Sequence, residues 1–125
     1  MRLKKMAPAE LLYVLASMTR PTHEVNAAEL ARIHRTQGFS KIAVHYVIER
    51  DGSVHTGRAS DEPGCLAPGS NHRALQVCLI GGLSEALVPA DTFTPQQRSA
   101  LRALEKSLQL PVVFDRACIC LQEST

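Results

Sequence analysis

The side chains able to do chemistry here are five histidines (His23, His34, His45, His55, His72), four cysteines (Cys65, Cys78, Cys118, Cys120) and scattered serines and carboxylates. Cys118-x-Cys120 leaves a single residue between its thiols, where a structural zinc pair has about two to four. No two histidines stand at a ligand spacing, so each reads as a packing or surface group. Cys78 lies inside an apolar run, where a thiol is inert for want of an electropositive, accessible setting. Ser70, Ser84 and Ser99 have no evident His–Asp partners. Asp61 and Glu62 are adjacent and would point apart on a loop, and Lys41, Arg50 and Arg58 read as surface charges.

The elements that must position these groups follow from the pattern. Leu11–Ser17 reads as a buried strand, with a helix starting near Ala9 as the alternative. Asn26-Ala-Ala-Glu29 has capping-box spacing and opens a helix through Leu30, Ile33 and His34 that stops at Gly38. Ile42–Glu49 and Val54–Gly57 flank Asp51-Gly52, a strong hairpin signal, and that geometry places His55 opposite Ile48. Ala59–Arg73 is a long loop with Pro63-Gly64 and Pro68-Gly69 turns, of the kind that usually serves function. Ala74–Ile80 reads as a central strand. Thr94-Pro-Gln-Gln97 caps a second helix whose buried stripe is Leu101, Leu104 and Leu108. Pro111 ends it, and Val112–Leu121 reads as a last strand. Strands alternating with helices give an α/β fold: a mixed central sheet flanked by helices, in a single domain over residues 1–125.

Composition excludes several classes. The chain has 125 residues, with 14 Lys+Arg against 12 Asp+Glu. A net charge of +2 and no Trp argue against a nucleic-acid partner, which needs a basic stripe or a stacking platform. No apolar run approaches the roughly 20 residues of a membrane span. Met1–Lys5 followed by Leu11–Ser17 faintly imitates a leader peptide, but Pro8 and Glu10 interrupt the apolar part. Four cysteines in a chain with this much core are too few to read as a disulfide framework and fit a reducing cytoplasm.

From Pro21 onward the ordered words Ile33-His-Arg-Thr-Gln-Gly-Phe39, His45-Tyr-Val-Ile-Glu-Arg-Asp-Gly52, Gly57-Arg58, Gly64, Asn71-His72, Val77-Cys-Leu-Ile-Gly-Gly82 and Phe93-Thr-Pro-Gln-Gln97 cover about four fifths of the chain. This series resembles the type 2 zinc-dependent N-acetylmuramoyl-L-alanine amidases, which include small phage lysozymes and animal peptidoglycan recognition proteins. The resemblance implies a substrate groove across one sheet face, and a zinc whose bound water attacks the lactyl amide. Carried over by position, the first zinc histidine falls on Leu15, the catalytic tyrosine on Val44, and the groove histidine after Gly64 on Cys65-Leu66. The second zinc histidine falls near Arg116-Ala117, with Cys118 the closest donor, and the third ligand falls beyond Thr125.

On that basis the expectation is a catalytically inactive, phage- or prophage-derived amidase-fold protein without cofactor or metal. It would bind protein, as a component of a phage particle or as a restraint on a phage-type RNA polymerase. Its former groove would be formed by Leu15, Val44, Leu66, Asn71, His72 and Cys118. The alternative is a peptidoglycan-binding module, and a working zinc amidase ranks last.

Overall fold

A computed structural model of the chain describes residues 6–123; the basic opening Met1–Lys5 lies outside the described residues. Five strands form one sheet among these residues: β1 (Leu11–Ala16), β2 (Tyr46–Ile48), β3 (Val54–Thr56), β4 (Ala74–Leu79) and β5 (Val112–Phe114), in the order β3-β2-β4-β1-β5. Only β2 and β3 run antiparallel, as the Asp51-Gly52 turn dictates; the other pairings are parallel. Helix α1 (Ala27–Thr36) lies on one face of the sheet and α2 (Pro95–Leu108) on the other. The mixed sheet with flanking helices is the α/β architecture that the sequence implies. No helix of the described residues is long and apolar enough to cross a membrane.

Strand alternation sorts the core into two layers. Leu12 and Val14 of β1 join Leu75, Val77 and Leu79 of β4 against Leu101 of α2. The intervening Leu15 and Cys78 join Val44, Val47 and Leu30 on the α1 side. β4 is buried along its whole length, as a strand covered on both faces must be. Both helices start where the capping pattern places them: Asn26 accepts from the Glu29 amide, and Thr94 and Gln97 form a reciprocal box. Gln97 is fully buried, and its side-chain amide donates to the Ile48 and Ile80 carbonyls at 3.1 and 2.9 Å, docking α2 onto the strand ends.

Three expectations need correction. The run Val112–Leu121 is strand only over Val112–Phe114; Arg116–Glu123 turns into a 3-10 helix, whose Cys118 and Leu121 plug the α2-side core. His55 pairs with Val47, not Ile48, and its ring stands 3.2 Å from Glu49. The turn is one residue shorter in register than assumed, and such a slip exchanges faces. Leu104 only lines the core edge, whereas Leu101 is fully buried.

Two histidines brace the segment that precedes β2. The Ala43 amide donates to His34 Nδ1 at 2.9 Å, and the Gln76 amide donates to His45 Nδ1 at 3.0 Å. His45 Nε2 in turn faces the Glu62 carbonyl at 2.6 Å. Each ring accepts at Nδ1, so each must be neutral with its proton on Nε2. Burial, with Arg58 nearby, holds both imidazoles below their ordinary value; for His45 the bond to the Glu62 carbonyl works partly against this.

Two outcomes follow from this packing. Val77→Asp should abolish cooperative melting by circular dichroism, since an unpaired buried carboxylate costs several kcal/mol against a total stability of about 5–15 kcal/mol. The folded rings of His34 and His45 titrate below the unfolded ones, so acid protonates the unfolded chain first. Stability should be complete above about pH 6.5 and fall as the pH drops below it. Denaturant midpoints measured between pH 7.5 and 5 would show this, and a flat profile would refute the two-histidine brace.

Candidate functional site

The parallel strands β1 and β4 end side by side, and beyond their carboxyl ends a groove of about 330 Å³ opens on the α1 face. Such strand ends are where open α/β sheets bind ligands. β1 and the residues after it supply Leu15, Ala16, Ser17 and Met18; β4 supplies Cys78; α1 supplies Leu30, Ile33, His34 and Gln37. Leu66 and Pro68 come from the long loop, and Asp115 follows β5. Met18 is held at φ 56°, an unusual conformation for a side-chain-bearing residue and one that costs free energy.

The loop wall is fixed from beneath. Gln76 of β4 is fully buried, and its Oε1 accepts from the Leu66 amide at 2.9 Å while its Nε2 donates to Asn71 Oδ1 at 3.2 Å. Asn71 Oδ1 also accepts from the Ala67 amide at 2.9 Å. Gly64 lies over the same glutamine, and a Cβ there would sit 2.6 Å from its amide carbon, so a side chain at this position would have to displace the glutamine from its bonds.

The floor is apolar and its polar groups are few. The Cys78 thiol is pushed up to about 12 by burial, so it stays protonated. His34 is neutral, as its Nδ1 acceptor role requires. Asp115 is anchored by its amide, which donates to the Val14 carbonyl at 2.8 Å, and its Oδ1 accepts from the Tyr13 hydroxyl at 2.7 Å. Burial first, and then this bond, push the Tyr13 hydroxyl up to about 12, which keeps it a donor.

The structure assembles the expected groove only in part. Leu15 and Leu66 line it. Val44 is fully buried in the layer beneath, so its apolar character is what any core position demands. Asn71 fastens the loop and, with exposed His72, borders a separate depression. Cys118 is wholly buried in the opposite core, because the 3-10 helix carries it under the α2 face. His34 and Asp115 were missed as site residues. Asp115 had one signal, a carboxylate directly after an apolar strand.

A larger depression of about 660 Å³, lined by Glu24, Asn26, Glu49, Arg50 and Asp51, lies elsewhere. Its Glu49 accepts from the Ala27 amide at 2.8 Å and faces His55, so that carboxylate is engaged in holding α1 and the hairpin.

The amidase resemblance implies zinc, and the groove's donor set does not fit it. Leu15 offers no lone pair, Cys78 stays a thiol, and His34 Nδ1 is engaged by the Ala43 amide. No three His, Cys, Asp or Glu side chains among the described residues come together as a metal site.

No protein-family model matches the chain. It is 37% identical over 101 residues to the endolysin of Enterobacteria phage T3 and 35% identical over 101 residues to that of Escherichia phage T7. Each match covers 81% of this chain and 67% of the relative, so the chain spans about two thirds of their length. Among solved structures, Drosophila PGRP-LB superposes with a TM-score of 0.70 at 18% identity, covering 88% of this chain and 71% of that one. The N-acetylmuramoyl-L-alanine amidase LysCS of Clostridium intestinale gives 0.63 at 24% identity, covering 85% and 69%. Endolysin likeness over four fifths of the chain overturns the expectation of an inactive structural or protein-binding component. The chain belongs to the amidase and peptidoglycan-recognition family that includes the endolysins of these phages.

Proposed function

We propose that this chain acts on bacterial peptidoglycan as a phage lysozyme-type amidase, with the muropeptide seated in the groove between α1 and the 59–73 loop. The observation that carries this reading is its 35–37% identity to phage endolysins across most of its length. The groove chemistry supports the seating of an amide there. Leu15, Leu30, Ile33 and Leu66 give an apolar floor suited to the methyl groups that flank a lactyl–alanyl amide. His34, protonated on Nε2, supplies a neutral donor for a carbonyl oxygen, and Asp115 supplies an acceptor for an N–H group. Groups of opposite hydrogen-bonding sense on an apolar surface orient an amide, because each buried polar atom of the ligand needs its partner.

The test is incubation with purified, insoluble peptidoglycan. Soluble peptides with a new free amino terminus should appear, together with falling turbidity, and a heat-denatured sample should give neither. If peptides do not appear, the hydrolytic reading fails; if the protein also stays in the supernatant when the wall material is pelleted, the peptidoglycan reading fails with it. Leu66 is half-buried on the groove wall, so Leu66→Glu should fold normally yet weaken pelleting about tenfold, near 1.4 kcal/mol.

A further inference from the structure

Asp115 is the one carboxylate among the described residues that line the groove. His34 shares the groove but is neutral, because its Nδ1 takes the Ala43 amide proton. The remaining lining side chains are apolar or uncharged. The carboxylate is also held in place: its backbone amide donates to Val14, Tyr13 donates to Oδ1, and the Ala117 amide approaches Oδ2 at 3.3 Å. A fixed anion beside a poorly hydrated floor favours a ligand cation, since a charge taken from water there needs a partner of opposite sign.

Building on the peptidoglycan reading, we propose that Asp115 is a specificity-determining residue that pairs with a primary ammonium of the stem peptide. That ammonium has two sources: the side chain of a diamino acid, or the alanine amino terminus that amide cleavage would free. In both, the ammonium donates to Asp115 while the peptide's apolar carbons lie over Leu15 and Leu66.

Calorimetric titration of the whole chain at pH 7.5 with L-alanyl-γ-D-glutamyl-L-lysine and its acetylated forms tests this. The doubly acetylated peptide should bind at least about tenfold more weakly than the parent. The two singly acetylated peptides identify which ammonium is read. Asp115→Asn keeps an acceptor for the Tyr13 hydroxyl and should bind all four peptides equally weakly while melting near the wild-type temperature. Tyr13→Phe removes a competing donor and should retain the preference. If Asp115→Asn fails to fold, the wild-type comparison between parent and doubly acetylated peptides still decides the matter. Equal affinity for those two overturns the assignment, as does a full preference surviving in Asp115→Asn. Absence of peptide binding with wall hydrolysis intact overturns only this inference; absence of both overturns the peptidoglycan reading as well.

Discussion

β1 lies between two parallel neighbours, with Leu12 opposite Leu75 and Val112, and Val14 opposite Val77 and Phe114. That register sends Leu12 and Val14 into the layer under α2, and Tyr13 and Leu15 into the layer under α1. The groove depends on it at each point. Leu15 reaches the floor because it alternates with Val14, and Asp115 reaches the rim because β5 runs level with β1. Tyr13 meets Asp115 because the two strands are adjacent. A shift of one residue would turn Leu15 and Tyr13 toward α2 and dissolve the site together with the core.

Around this frame most buried polar side-chain atoms among the described residues find partners within the chain, Arg102 Nε being an exception. Gln76 ties the loop to the central strand, Gln97 ties α2 to the strand ends, and His34 and His45 receive backbone amides that the irregular 42–45 segment would otherwise leave without strand partners. Each is a case of a backbone group needing a partner once water is excluded. The side chains that could have served as reactive groups elsewhere are here largely occupied in holding the fold, and the groove keeps a neutral histidine and one carboxylate beside a few uncharged polar groups.

The parts of the fold legible in the sequence were those fixed by neighbours in the chain. Asn26–Glu29 and Thr94–Gln97 encode both helix starts locally, and Asp51-Gly52 encodes the hairpin. The apolar run after Pro111 misled because a short run of this kind is equally strand or buried helix by periodicity. Asp115 was invisible as a site residue for a related reason: nothing local says that its strand lies beside β1. Val44 misled in the opposite direction. At a position where the family resemblance expects a polar group, valine suggested an abandoned site, whereas the structure shows it doing the ordinary work of a core residue.

The fastening of the 59–73 loop also decides where this chain can accept new sequence. Gly64, Leu66 and Ala67 are locked against Gln76 and Asn71, so lengthening the loop at its base would drag the groove wall with it. The Pro68–Gly69 tip is different: Gly69 has open space around its Cβ position and stands on the exposed side of the Ala67–Asn71 clasp. A reporter peptide or a cell-wall-targeting module could be spliced there with the clasp left closed, which makes this tip a natural grafting point on an otherwise rigid groove.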